Sequence, residues 1–168
     1  MDAGLLVARL VVGPLMAAHG AQKLFGWFGG YGIAAVGGMF ESLGFKPGRF
    51  FAVAASLAET LGGALLTLGL LGPVGPALVV SVMIVAGVSV HWQNGLFAAS
   101  NGIELPLLYA TIGAALALTG PGRYSLDELL GLAALWTPAA TWSALAIAVL
   151  AGAVNLALRR PALAAASA

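Results

Sequence analysis

Seven polar residues in this sequence stand inside or at the ends of long apolar stretches, where an ionisable or hydrogen-bonding side chain needs a partner. The clearest is Glu59, the sole ionisable residue in the apolar run 50–70. A charged side chain at the centre of a membrane helix costs about 2.5–3.5 kcal/mol on insertion scales, so we expect it to face the protein interior. The candidates for a ligand-binding or proton-relay site are Arg9, His19, Gln22, Lys23, Glu59, His91 and Glu104.

These residue types could bind a small molecule or carry protons. Arg9 would favour the ionised form of Glu59, whereas burial would favour the neutral form. A quinone pocket is largely apolar with a few convergent donors, which His19, Gln22 and Lys23 could provide. The same side chains could instead be structural, as a buried ion pair between two helices, hydrogen-bonded histidines or helix caps. The sequence leaves these alternatives open.

The sequence contains no local pattern of metal ligands. His19 and His91 could hold a haem, or join Glu59 or Glu104 around a metal ion, but their spacing matches no ligand motif. The chain has no cysteine, which removes disulfides, thiol relays and iron–sulfur ligation. Phosphate-binding glycine loops, nucleophile elbows and the HExxH motif are also absent. Any redox chemistry would need a bound cofactor or a quinone, and whether the protein is an enzyme stays undecided.

The composition is that of an integral membrane protein. Of the 168 residues, 61% are hydrophobic and 8% are charged, and the mean hydropathy is +1.01. A soluble protein of this composition would expose large apolar patches to water. The net charge of +1, with no basic run longer than Arg159-Arg160, argues against a nucleic-acid partner. We predict an all-α polytopic membrane helix bundle surrounded by lipid.

The apolar runs predict a four-helix core, in a domain covering residues 1–130, and an additional fifth helix within 131–168. The predicted spans are 4–24, 50–70, 74–90, 103–119 and 141–158. The connection 26–49 has apolar residues at helical spacing, which predicts a short amphipathic helix at the interface. Asn101 with Glu104, and Ser125 with Glu128, have the spacing of capping boxes, the second starting a short helix to about Leu135.

The distribution of basic residues predicts the orientation in the membrane. With five spans, one side carries five basic residues and the other carries Arg123. Those on the first side are Lys23, Lys46, Arg49, Arg159 and Arg160. The positive-inside rule places the first side in the cytoplasm, with the N-terminus outside and the C-terminus inside. At 1.5 Å rise per residue, we expect a column of polar groups from Arg9 through Glu59 to the cytoplasmic side.

An ordered set of short motifs resembles the DoxX family of small bacterial membrane proteins. The set covers residues 5–127 and consists of Arg9, HGAQKLFG at 19–26, GGYG at 29–32, SLG at 42–44, ExxGG at 59–63, HWxNG at 91–95, GxE at 102–104 and GPGRYSLD at 120–127. The resemblance implies a four-helix membrane core. It also implies association with quinone-linked oxidoreductases or membrane redox-defence assemblies, as in some members of the family. The segment after residue 130 lies outside the pattern.

From these observations we expect a multi-pass protein of the inner or plasma membrane. The leading hypothesis is a subunit of a membrane oxidoreductase complex, in which a polar site around Glu59 binds a quinone-like or other small molecule or passes protons. The first alternative is a small-solute or proton transporter or channel. The second is a purely structural accessory subunit, in which the charged groups hold the helices together.

Overall fold

The computed structural model describes residues 1–160, and this part of the chain is helical without β-strands. The helices are α1 (Asp2–Phe25), α2 (Gly32–Ser42), α3 (Gly48–Leu68), α4 (Val74–Ala86), α5 (Glu104–Thr119), α6 (Leu126–Leu129) and α7 (Pro138–Ala157). A π-helical segment, Gly87–His91, continues α4, and short 3₁₀ turns occupy Trp27–Gly29, Trp92–Asn94, Ala98–Ser100 and Ala133–Leu135. The predicted fold class, an all-α polytopic bundle, is confirmed. Part of the predicted C-terminal segment, 161–168, lies outside the described residues.

Four helices are long and apolar enough to cross a membrane. These are α1, α3, α7 and the continuous stretch Val74–Asn94 that begins with α4. Helix α5 has 16 residues, about 24 Å at 1.5 Å per residue, which is shorter than the roughly 30 Å hydrocarbon core. It nevertheless connects the two ends of the bundle, because Glu104 N donates to Leu96 O (2.8 Å) after α4, and Pro121 lies against Arg9 of α1. Five helices therefore run between the two ends of the bundle, and we call each such passage a crossing.

Small residues bring α1 and α3 into backbone contact. A Cβ atom added at Gly13 would lie 2.7 Å from Gly63 O, and one added at Gly20 would lie 2.6 Å from Ser56 O. A Cβ added at Gly63 would lie 2.4 Å from Ala17 N. Because lipid gives helices no hydrophobic reason to associate, such close packing is a main source of their attraction. It fixes α1 against the face of α3 that carries Glu59.

The basic residues gather at one end of the bundle, which we call the basic end. Helix α2 lies there, since it joins the last residue of α1 to the first of α3 without crossing. The C-terminal end of α7 is bonded to the same region. Arg159 Nε donates to Leu43 O (3.0 Å), and Arg160 N donates to Gly44 O (2.8 Å). The positive-inside rule predicts that the basic end faces the cytoplasm.

The two predicted capping boxes have different outcomes. Ser125 Oγ accepts from Glu128 N (3.2 Å) at the start of α6, as predicted, but this helix ends at Leu129 and not near Leu135. The box at Asn101 and Glu104 is wrong, because α5 begins at Glu104 itself and its preceding residue is Ile103. Asn101 instead adopts a left-handed conformation (φ 60°) that closes the preceding turn. Glu104 Oε2 turns back and accepts from Ala98 N (2.7 Å).

Candidate functional site

Glu59 lies on the buried face of α3 and forms an ion pair with Lys23 of α1. The side chain of Glu59 is 2% exposed and that of Lys23 is 27% exposed. Lys23 Nζ donates to Glu59 Oε1. The other carboxylate oxygen, Oε2, is buried and receives no hydrogen bond from any residue within 1–160. The sequence prediction that this acid turns inward and meets a basic partner is confirmed.

The prediction that Arg9 is the partner of Glu59 is wrong. Arg9 is buried, but it donates to the carbonyls of Leu66 (3.0 Å), Thr67 (3.3 Å) and Tyr124 (2.9 Å), and to that of Pro121. Leu66 lies seven residues beyond Glu59, about 10 Å further along α3. The last carbonyls of a helix have no partner within it, so they offer a guanidinium several acceptors. The expected single column of polar groups is therefore two separate clusters.

Asp127 is a buried residue that the sequence analysis did not select. It is fully buried, and its carboxylate accepts from the backbone N–H groups of Leu71 (2.9 Å) and Gly72 (2.6 Å). Its own N–H donates to Gly69 O (3.0 Å). Asp127 and Arg9 thus join the end of α3 to the loop after α5. Its place inside the Ser125–Glu128 capping box gave no signal of burial, because an Asp in a polar turn is ordinarily exposed.

A cavity of about 250 Å³ lies at the basic end, between α2, α3, α4 and α7. Most of its wall is apolar and includes Phe40, Leu43, Phe45, Phe51, Val82 and Val85. Its polar wall residues are Lys23, Ser81, Ser89, His91 and Asn155. Two of the seven predicted site residues, Lys23 and His91, therefore line one cavity. Glu59 does not line it but holds Lys23 at its edge.

The π-helical segment Gly87–His91 forms one side of the cavity. Ser89, Val90 and His91 all contribute to the wall. The sequence predicts a regular span up to residue 90, whereas the helix widens after Ala86. A π turn changes the direction in which the following side chains point and is frequent at functional sites. No residue pattern in this segment distinguishes a π turn from an ordinary helix.

Besides Arg9 and Glu59, three further predicted site residues lie outside the cavity wall. His19 is exposed, with Nδ1 3.2 Å from Gln22 Oε1 and its ring edge-on to Tyr109. Gln22 Nε2 donates to Phe28 O (3.1 Å), and Glu104 accepts from Ala98 N. Gln22 and Glu104 thus stabilise turns at the basic end. Within residues 1–160, no group of three or more His, Cys, Asp or Glu side chains could hold a metal ion.

Five helices that run between the two ends of the bundle, with an ion pair beside a cavity near one end, define a small polytopic helical membrane protein. The DoxX family model matches residues 4–92, more than half of the chain, and the chain belongs to this family. The matched region contains α1 to α4 and the π segment, and so holds Lys23, Glu59 and most of the cavity wall. No curated protein and no solved structure matches the chain.

Proposed function

We propose that this protein is a subunit of a redox assembly in the cytoplasmic membrane, and that it binds a quinone-type molecule in the cavity at the basic end. The observation that carries the proposal is a mainly apolar cavity whose one strongly charged wall group, Lys23, is held by a buried carboxylate. Ligand pockets of this kind combine apolar walls with a few placed polar groups.

The size of the cavity fits a ring-shaped head group. About 250 Å³ is slightly less than the roughly 300–1,000 Å³ of pockets that enclose a drug-sized ligand. An alkyl tail would have to leave the cavity, and its lining includes the exposed residues Met39 and Ala54. A tail passing these residues reaches the apolar surroundings of the bundle.

The polar wall groups suit the oxygens of a quinone. The Lys23 ammonium is a donor for a ring carbonyl. His91 has Nδ1 2.8 Å from Asn101 O, so Nε2 is the ring nitrogen left for the hydroxyl of a reduced quinone. Since the chain has no cysteine, it cannot hold an iron–sulfur cluster by thiolates. In this proposal a partner subunit supplies the electrons and this subunit holds the quinone.

The transporter alternative is less well supported. It requires a polar path between the two ends of the bundle. Between the Arg9 cluster and the Lys23–Glu59 pair, the buried side chains of Val12, Met16 and Leu66 pack together in an apolar core. A cavity that is confined to one end favours binding over passage.

Quinone binding to protein in lipid nanodiscs tests the proposal. A short-chain alkylated benzoquinone should quench tryptophan fluorescence saturably and raise the melting temperature of the wild type. A ligand at a hundred times its Kd stabilises the native state by about 2.7 kcal/mol. Ala55→Phe should abolish both effects, because Ala55 lines the cavity. Ala64→Phe is the matched control, since Ala64 is exposed on the same helix. Wild-type affinity in Ala55→Phe would contradict the proposal.

A further inference from the structure

Lys23 belongs both to the ion pair and to the cavity wall, so a ligand oxygen in the cavity is placed to compete with Glu59 for its ammonium group. Its ammonium group holds Glu59 Oε1, and its side chain also lines the cavity. With 27% of the side chain exposed and a flexible four-carbon stem, Lys23 can shift toward a ligand without unfolding its helix. Glu59 is 2% exposed and cannot follow it into water.

From this geometry we propose that ligand binding and protonation of Glu59 are coupled. A ligand oxygen that takes the ammonium group of Lys23 leaves Glu59 unpaired, and the carboxylate then takes up one proton. This inference rests on the proposed function, because it requires a ligand in the cavity at Lys23. It adds that the site exchanges a proton with water each time that it fills or empties.

Within residues 1–160, Glu59 forms an ion pair with Lys23 and with no other basic residue. No second cation is therefore in place to pair with Glu59 when Lys23 moves away. Each remaining titratable or charged side chain near the basic end is engaged or placed elsewhere. They are His19 on α1, the exposed Tyr31 and Lys46 in the turns on either side of α2, Glu41 on α2, which accepts from Gly48 N, Arg49 in the first turn of α3, His91 in the π segment, Glu104 and Tyr109 on α5, and, after α7, the exposed Arg160, and Arg159, which donates to Leu43 O.

The energetics favour proton uptake over an unpaired buried charge at Glu59. A buried carboxylate without its partner is strongly unfavourable, by several kcal/mol. Such a group becomes neutral instead of remaining charged in an apolar environment. The second oxygen of Glu59 already lacks a partner among residues 1–160, so nothing there stabilises a lone carboxylate. The proton comes from water at the basic end, Lys23 keeps its own proton, and release of the ligand returns one proton to water.

The coupling predicts how affinity depends on pH. Binding that consumes one proton weakens as pH rises, by about tenfold per pH unit where uptake is complete. The probe is the short-chain alkylated benzoquinone, whose oxidised form has no group that titrates near neutral pH. Any proton taken up on binding therefore belongs to the protein.

The experiment measures binding and proton uptake together in nanodiscs, with tryptophan quenching and a pH-sensitive dye in weakly buffered solution. The wild type should take up about one proton per quinone bound. Glu59→Gln should bind with no proton uptake and with affinity independent of pH. Glu104→Gln is the matched control and should keep the uptake, because Glu104 lies outside the cavity wall. If Glu59→Gln is not stable, Glu59→Leu serves, since it also removes the carboxylate and leaves the cavity wall, including Lys23, in place.

The outcomes separate this inference from the proposed function. Saturable binding without proton uptake in the wild type overturns the coupling and leaves the quinone site intact. Full uptake in Glu59→Gln, or in Glu59→Leu where that variant is used, also overturns it, because another group would then carry the proton. An absence of saturable binding in the wild type overturns both proposals.

Discussion

Glu59 and Lys23 differ in how far each depends on the other. Lys23 is partly exposed and can extend its amine toward water at the basic end, whereas Glu59 is enclosed by helices. Removing one partner of a buried pair is costly because the other charge is left in an apolar environment, while replacing both with apolar residues is often neutral. Replacing Lys23 and replacing Glu59 should therefore lower the free energy of unfolding by different amounts.

We predict that Lys23→Met destabilises the protein by about 3–5 kcal/mol, and that Glu59→Leu costs less because the remaining Lys23 can reach water. The double variant should recover most of the loss of Lys23→Met. Unfolding free energies from steric trapping in bicelles would test this order. His19→Met, at an exposed position of the same helix, is the control and should change stability by less than about 0.5 kcal/mol. Additive losses in the double variant would mean that the two residues do not interact.

Arg9 is a second residue whose role can be separated from the cavity. It donates to four carbonyls, those of Leu66, Thr67, Pro121 and Tyr124. Lysine has three donors in a different geometry, so Arg9→Lys leaves at least one of these carbonyls without its bond. We expect a loss of about 1–3 kcal/mol with unchanged quinone affinity. Arg123→Lys, at an exposed site, should have no effect on either. A quinone affinity that falls while stability stays constant would place Arg9 in the site.

At the scale of the helices, the contact between α1 and α3 depends on positions that have no side chain. Gly13, Gly20 and Gly63 each lie against the backbone of the opposite helix. A methyl group there must either push the helices apart or displace the backbone. The separation of α1 and α3 sets the distance between Lys23 and Glu59, so packing and the ion pair are linked.

We predict that Gly20→Ala destabilises the bundle by about 1–3 kcal/mol, since its Cβ would lie 2.6 Å from Ser56 O. Gly4→Ala is the control on the same helix, because a Cβ there has nothing within 4 Å. Melting temperatures in detergent would show the difference. Equal melting temperatures for the two variants would mean that α1 and α3 do not pack as closely as described.

At the scale of the whole molecule, the distribution of charge predicts the orientation in the membrane. The basic end carries five of the seven Lys and Arg residues, the opposite end carries Arg123, and Arg9 is buried. Helix α7 ends at the basic end, where Arg159 is bonded to Leu43. An odd number of crossings follows, because α1 begins at the end of the bundle opposite to the one where α7 finishes.

Labelling of single introduced cysteines tests this topology. The chain has no cysteine of its own, so no other residue of the protein reacts with the label. Ser100→Cys lies in the exposed loop at the basic end, and Ala134→Cys lies in an exposed turn at the opposite end. A membrane-impermeant maleimide should label Ala134→Cys in intact cells and label Ser100→Cys after the membrane is opened. The reverse pattern would invert the orientation, and equal labelling in intact cells would contradict five crossings.

The sequence by itself determined the helical membrane bundle and the inward direction of Glu59. Long apolar runs without charges are stable in lipid as helices, because a helix satisfies its backbone hydrogen bonds within a single segment. A lone acid in such a run must turn inward, since exposure to lipid is too costly. Both conclusions follow from local composition, and the structure agrees with them at α3 and at the other crossings.

The tertiary structure decided which base meets that acid and where a ligand could enter. Arg9 and Lys23 lie on the same helix as two plausible partners, and the choice depends on the depth and rotation at which α1 packs on α3. The cavity wall combines residues from five helices, α1, α2, α3, α4 and α7, together with a π turn that has no sequence signature. Distances between separate helices depend on packing, which composition and spacing along one chain do not specify.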